Sequence, residues 1–385
     1  MYNTRPTWVE INTDNIRYNF ANIKKLLKEN TKICAVVKAN AYGHGALEYA
    51  RVLVSEGTDY LAVATLEEAL ELRKGGIEVA ILILGYTSPQ GYSRAIEEDI
   101  DITLYSWQAA EEISKVAIKN NKKARIHIKL DTGMSRLGYQ ADKESAEEIY
   151  KISKLEGLEI VGIFSHFARA DEESKEETHE QFRKFKYILD LLEELGVKIP
   201  IKHICNSAGI MEFPEYHMDM VRPGIILYGH YPSDEVRKEV LDIKPVMTLR
   251  TTLSHVKTIE AGRGVSYGHV YVTSESKKVG TMPIGYADGF TRLLTGKISV
   301  KIKDKMFPLI GRICMDQSMV DLEGLDFKVG DIVTIFSEDE DLRLERLAKA
   351  LGTINYEVLC MTGRRIPRVY LKEKRVLHIE DYLLK

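Results

Sequence analysis

Lys38, Tyr42, Gly43 and Gly45 stand just after an apolar run, Ile33-Cys34-Ala35-Val36-Val37. The run reads as a buried strand, and a helical pattern begins at Ala46. An amine at the C-terminal end of a buried strand sheds its proton more readily than one in water and can then attack a carbonyl carbon. A tyrosine hydroxyl and backbone N–H groups freed by glycine can hold a phosphate. Together these residues point to a lysine that forms an imine with pyridoxal phosphate. The plainer reading, a strand-end lysine whose ammonium reaches solvent, stays open on these residues alone.

The elements that must position such a lysine recur along the chain. Strand-like segments fall at 33–38, 60–64, 79–84, 100–104, 125–130, 159–165, 201–205 and 218–221, with helix-like segments at 66–74, 107–119, 146–154 and 177–195. Eight strands with intervening helices predict an eight-stranded parallel (β/α)8 TIM barrel. An open doubly wound sheet would need a glycine-rich fingerprint after its first strand, which Gly43 and Gly45 do not supply. In a barrel, reactive groups gather where strands end, and phosphates bind after the seventh and eighth strands. Here the ends offer Lys38, then Lys129 through Arg136, Ser165-His166, Asn206-Ser207-Ala208-Gly209, and Arg222-Pro223-Gly224. Each has a bland alternative. Asn206 and Ser207 can cap a helix, His166 can be a core histidine, and Arg222 can be an ion-pair partner.

After Pro245 the pattern changes to short, β-branched segments at 246–259, 278–282, 298–302 and 332–336, with a late helix at 342–351. This predicts a mainly antiparallel β C-terminal domain over 245–385, following a barrel over 1–244. Trp8-Val9-Glu10-Ile11 is strand-like and precedes a helix capped near Thr13 or Asp14, so about the first 12 residues could pair with either domain. A net charge of -3 gives no reason to expect nucleic acid or an anionic membrane as partner. The longest apolar runs are strand-sized, and the first residues lack a signal-peptide core. The four cysteines have no metal-ligand spacing and read as free thiols in a reducing cytoplasm.

With these residues in view, the chain resembles the bacterial alanine racemases, pyridoxal-phosphate enzymes made of a barrel and a C-terminal β-domain. VVKANAYGHG, KLDTGMSRLG, SHFA, CNSAG, VRPGIILYG, GVSYGH, PIGYADG, GRICMDQ and INYEV carry the resemblance, in order and along essentially the whole chain. It implies interconversion of L- and D-alanine, the D-isomer feeding peptidoglycan, by a homodimer with composite active sites. Lys38 would hold the cofactor and act as one base, with Tyr267 from the second subunit as the other. Tyr42, Ser207, Gly224, Ile225 and Tyr356 would hold the phosphate. Arg136 would reach the cofactor's phenolic oxygen and assist at the substrate carboxylate, which the Met315 N–H of the second subunit would bind. His166 would lie against the cofactor ring with Asn206 supporting it, and Arg222 would meet the ring nitrogen. Lys129 would carry a carbamate, the alternative being a plain lysine paired with Asp131 or another acid. Tyr286 and Tyr356 would narrow the entry to a small side chain. Arg136 and His269 are the cations that could acidify Tyr267.

An arginine only donates, so the nitrogen facing Arg222 must be an acceptor, which weakens the ring as an electron sink. Two local departures from the family pattern are Arg169 and the stretch 290–296. The competing readings are a broad-specificity amino-acid racemase, a basic-amino-acid decarboxylase of the same two domains, and a lone-barrel cofactor carrier. The decarboxylase would place an acid where Arg222 stands, and the carrier would lack the residues beyond Lys244.

Overall fold

The computed structural model describes residues 5–324 and 326–384. The chain divides into two compact units: one of Ile16–Ala41 and Ala46–Ile243, the other of the chain up to Asn15, Tyr42–Gly45 and the chain from Lys244 onward. β1 (Thr7–Asn12) belongs to the second unit.

The first unit is the barrel. Its strands are β2 (Lys32–Val36), β3 (Tyr60–Val63), β4 (Ala80–Ile83), β5 (Ile100–Leu104), β6 (Ala124–Lys129), β7 (Leu158–Phe164), β8 (Ile201–His203) and β9 (Met220–Val221). They form one parallel sheet in the order β8-β7-β6-β5-β4-β3-β2-β9. Between β8 and β9 the Asp219 N–H reaches the Lys202 carbonyl at 3.1 Å and the Arg222 N–H reaches that of Cys205 at 3.0 Å, which ties the two ends of the sheet together. Strands covered on both faces carry near-continuous apolar sequence, and Leu61, Ala62, Ile81, Leu82, Ile126 and Ile128 are fully buried. The expected segments 100–104, 66–74 and 107–119 coincide with β5 and with the helices Leu66–Lys74 and Trp107–Lys119. Several other strands are shorter than expected. The first ends at Val36 rather than at 38 because the backbone turns left-handed soon afterwards.

The second unit is a ten-stranded, mostly antiparallel sheet. Added to β1 are β10 (Met247–Thr252), β11 (His255–Ile259), the short pair β12 (Gly264–Val265) and β13 (Tyr271–Val272), then β14 (Lys277–Met282), β15 (Ser299–Ile302), β16 (Lys305–Ile310), β17 (Ser318–Leu322), β18 (Ile332–Phe336), β19 (Arg368–Lys372) and β20 (Arg375–Glu380). The ten-stranded order is β11-β14-β17-β16-β15-β18-β10-β1-β19-β20. β1 lies antiparallel to β10 and parallel to β19. The expected single run 246–259 is two strands. At Leu253 and Ser254 the backbone bonds pass to Asp331 and Thr281, so the chain changes partners from β18 to β14.

The helix Thr13–Lys25 is capped one residue before the expected position. The Asn12 amide oxygen accepts the N–H of Asp14 at 3.0 Å and of Asn15 at 3.2 Å, leaving Thr13 to donate to the Leu371 carbonyl. The late helix is Leu344–Leu351, preceded by a separate turn at Glu340–Leu342. All four cysteines are free thiols. Among the described residues no helix is long and apolar enough to cross a membrane.

Candidate active site

Lys38 opens a turn of unusual backbone. Ala39, Asn40, Ala41 and Tyr42 all have φ between 50° and 56°. The left-handed region costs an L-residue about 1–2 kcal/mol, so four in succession need support. Within the barrel unit the Ala39 N–H donates to Glu68 Oε1 at 2.6 Å, Ala41 N–H to the Val37 carbonyl at 2.8 Å, and Ala46 N–H to Asn40 Oδ1 at 2.9 Å. Glu68 Oε2 also accepts the Ala64 N–H at 2.7 Å, tying the start of the Lys38 turn to the end of β3. Lys38 itself is half-buried.

The two glycines of this motif are required by packing. The Gly43 carbonyl accepts two N–H groups of buried Arg368, at 2.9 and 3.1 Å, and a Cβ on Gly43 would lie 2.5 Å from the Leu359 oxygen. A Cβ on Gly45 would lie 1.9 Å from the Tyr370 hydroxyl. In the same unit the rings of Tyr42 and Tyr356 lie 6.1 Å apart. Burial pushes the Tyr42 phenol well up, so it keeps its proton and can donate.

Arg222 follows β9 and is 3% exposed. Its guanidinium donates to His203 Nδ1 at 2.6 Å, to the Ser165 and Ile204 carbonyls at 2.7 and 3.0 Å, and toward His166 Nδ1 at 3.3 Å. All four acceptors are uncharged, so the ion-pair alternative does not apply. Burial lowers its pKa to about 10, which still leaves it a cation at neutral pH. His166 is held well below its usual pKa by burial and then by Arg222, with Arg136, Lys129 and Lys38 adding to the effect. It is therefore a neutral ring surrounded by cations.

Asn206 does cap a helix. Its Oδ1 accepts the Gly209 N–H at 2.9 Å, its Nδ2 donates to the Phe167 carbonyl, and that nitrogen lies 3.5 Å from His166 Nε2. Ser207 Oγ accepts the Gly224 N–H at 2.9 Å. That N–H is thus engaged within the protein, while the Ser207 hydroxyl proton remains able to donate. Ile225, fully buried, starts the short turn Ile225–Tyr228.

Lys129, at the end of β6, is 4% exposed, and its amine donates to the Leu130 carbonyl at 2.5 Å. Burial, then the charges of Arg222 and Arg136, lower its pKa to about 7 against the partial opposition of Asp131. Asp131 is occupied otherwise: Oδ1 accepts the N–H groups of Gly133, Met134 and Ser135, each at 3.0 Å. This knot shapes the loop that presents exposed Arg136, and the backbone pairing of Tyr139 with Lys129 and Asp131 closes it.

Tyr267, Met315 and Tyr286 lie on loops of the second unit and are 68%, 53% and 43% exposed. Ser266, at φ 63°, anchors the Tyr267 loop through a 2.6 Å bond from Oγ to the Arg312 carbonyl. The N–H groups of Tyr286 and Ala287 donate to the Cys314 and Met315 carbonyls, each at 3.0 Å. A groove of about 720 Å³ beside them is lined in part by Ile259, Tyr267, His269, Met315 and Met319. His269 packs on Gly264, where a Cβ would meet its ring at 2.2 Å. Of the two departures, Arg169 forms surface ion pairs with Glu172 and Glu177. In the 290–296 stretch, Thr295 Oγ1 accepts the Ile313 N–H and so braces the Met315 loop.

Sequence reasoning missed Glu68, although Thr65-x-x-Glu68 is a capping-box spacing that could have marked it. It also missed Asp101, His127 and His203, polar residues within or ending otherwise apolar strands.

Comparison with known proteins agrees along the chain. Residues 11–232 match the model of the alanine racemase N-terminal domain, and residues 246–370 that of the C-terminal domain. An alanine racemase of Clostridium tetani is 49% identical, covering 98% of this chain and 99% of its own. One from Methanococcus maripaludis is 47% identical, covering 96% of this chain and 99% of its own. Among solved structures, Clostridium difficile alanine racemase in complex with cycloserine superposes with a TM-score of 0.95 at 49% identity, covering 99% of this chain and 100% of that one. The Bacillus anthracis alanine racemase with bound L-Ala-P also gives 0.95, at 34% identity and with full coverage of both chains.

Proposed function

The chain belongs to the alanine racemase family, and on that premise we propose that it interconverts L-alanine and D-alanine using pyridoxal 5'-phosphate held at the C-terminal ends of the barrel strands. The observation that carries this reading is Arg222, a buried cation whose protein partners are all neutral acceptors. Such a group suits a ring nitrogen that accepts a hydrogen bond, and it stands where a decarboxylase would need an acid. When bound, the cofactor supplies a carbonyl that captures the amino acid's amine and a conjugated ring that acidifies its α-C–H.

The chain's own residues do the rest. The Lys38 amine would hold the cofactor and, as a free amine, would take or return the α-proton on one face. The Tyr267 phenol of a second copy does so on the other face, which makes the working unit a homodimer. The hydroxyls of Tyr42, Ser207 and Tyr356 and the Ile225 N–H hold the phosphate. Gly224 keeps Ser207 in place through its own N–H. His166, oriented by Arg222 and Asn206, would lie against the ring. Arg136 and the Met315 N–H hold the carboxylate, and Tyr286 and Tyr356 leave room for a methyl side chain.

Lys129 serves this arrangement as a carbamate. An amine with a pKa of about 7 is neutral often enough to attack carbon dioxide. The N–C bond forms, one N–H proton leaves to solvent, and the anion produced can pair bidentately with Arg136. The enzyme works in the cytoplasm, where its free thiols persist, and D-alanine supplies peptidoglycan.

Chiral analysis of single L-amino acids incubated with the cofactor-loaded protein tests the reading. D-Alanine should appear fast, with D-serine and larger products far behind. Equal turnover of several amino acids would make it a broad-specificity racemase, and no enantiomer despite cofactor binding would overturn it.

A further inference from the structure

Behind Arg222 a chain of buried polar groups runs through the barrel interior. His203 Nε2 lies 3.0 Å from His127 Nδ1, and His127 Nε2 lies 3.2 Å from Asp101 Oδ2. Asp101, His127 and His203 are each 0% exposed. Space for the chain is built in: a Cβ on Gly162 would sit 2.3 Å from His127 Nδ1, and the Phe164 ring stacks on His203 at 4.9 Å. Arg125 closes the far end, its Nε donating to Asp101 Oδ1 at 2.7 Å.

The polarity of this chain is fixed by its two ends. Arg222 can only donate, so His203 Nδ1 accepts and a neutral His203 carries its proton on Nε2. His127 Nδ1 then accepts, and its Nε2–H is directed at a carboxylate that can only accept. Burial holds both imidazoles below their usual pKa, so each has one proton to place. Burial alone would raise Asp101, but hydrogen bonds from His127 and Arg125 bring it below the usual carboxylate range.

We propose that Asp101, acting through His127 and His203, is a positioning residue for Arg222: it locks both imidazoles in the tautomer that accepts from the guanidinium. This rests on the racemase reading, because the value of a fixed Arg222 is the hydrogen bond it then gives to the cofactor's ring nitrogen. In Asp101→Asn both oxygen positions face Arg125, Oδ1 at 2.7 Å from Nε and Oδ2 at 3.3 Å from Nη2, and the shorter contact favours the amide oxygen at the Oδ1 position. The amide NH2 then faces His127, whose ring must turn acceptor. The reversal passes to His203 and sets a donor against Arg222. In Asp101→Asn/Arg125→Met the amide is free to turn its oxygen to His127 and restore the order.

Imidazole 15N shifts of the ten histidines, in 15N-histidine-labelled protein with and without pyridoxal phosphate, report the tautomers directly. In the unsubstituted protein both rings should carry the proton on Nε2. Asp101→Asn should move both protons to Nδ1 and slow alanine racemisation about 10–100-fold, and the double variant should recover both readouts. A proton on Nδ1 of either ring in the unsubstituted protein overturns the proposal whether or not any variant folds. So does an unchanged tautomer in Asp101→Asn, or a double variant slower than the single one. Failure of the unsubstituted protein to racemise alanine while its tautomers are as described would refute the racemase reading instead.

Discussion

The groups at the ends of the barrel strands and those on the loops of the second unit are prepared in opposite ways. Arg222 and Lys129 are 3% and 4% exposed, their pKa values lowered by burial first and also by neighbouring arginines, whereas Tyr267 and Met315 stand 68% and 53% exposed. The first set is already organised within one chain. Its cations, neutral histidines and carbonyls fix one another before any ligand arrives, which is what electrostatic stabilisation requires. In the second set the backbone of the loops is fixed, by Ser266, Thr295 and the Tyr286–Cys314 bond, while the functional side chains face outward. On the proposed reading, the exposed Tyr267 phenol is the group offered to a second copy. The difference suggests a division of labour in which the barrel sets the chemistry and a second copy supplies the opposing base.

The comparison breaks most visibly at Tyr267. Tyr267→Phe should cut racemisation about 10²–10⁴-fold, as loss of a general base does. In deuterium oxide it should still exchange, through Lys38, the α-proton of one alanine enantiomer but not that of the other, which mass spectrometry of each enantiomer reads out. Equal loss with both enantiomers would deny the two-face assignment. On the barrel side, Arg222→Glu should lower racemisation about 10²–10³-fold. It should also raise the side production of pyruvate by transamination, since a carboxyl favours a protonated ring nitrogen. A coupled pyruvate assay that shows no change would remove Arg222 from control of reaction choice.

Lys129 sharpens the barrel side further. Lys129→Ala should slow turnover about 10–100-fold, in the range seen for residues that orient a ligating group. Its pH signature has a definite sign. With a folded pKa near 7 against an ordinary 10.5, an unmodified Lys129 makes the folded protein bind fewer protons than the unfolded one between those values. Stability then rises with pH across that window and is flat below it. Denaturation in carbon-dioxide-free buffer should show that slope, and bicarbonate should flatten it while adding the mass of one carbamate. The smallest effect is structural. Gly45→Ala, with φ 98° and a Cβ 1.9 Å from the Tyr370 hydroxyl, should cost about 1–3 kcal/mol by urea denaturation.

Much of this could be read in the sequence because it is local. Continuous apolar strands announced the barrel, and the residues at their ends announced Lys38, His166 and Arg222 as a set. What stayed hidden depends on contacts distant in sequence. The close packing that requires Gly43 and Gly45 comes from Arg368 and Tyr370, more than 300 residues away. Glu68 passed unnoticed in the sequence because its carboxylate acts on Ala39, 29 residues away. The depressed pKa of Lys129 needs Arg222 and Arg136 brought near one buried amine. Likewise Asp101, His127 and His203 form a chain only once β5, β6 and β8 share an interior.

Complementation between two inactive chains tests the division of labour most directly. Lys38→Ala and Tyr267→Phe proteins, each inactive alone, are mixed under conditions that let subunits exchange, and alanine racemisation is followed by chiral analysis. Half of the sites in a mixed dimer should then pair an intact Lys38 with an intact Tyr267, so activity should return. A mixture that stays inactive, although mixed dimers form and bind cofactor, would mean that both bases come from one chain.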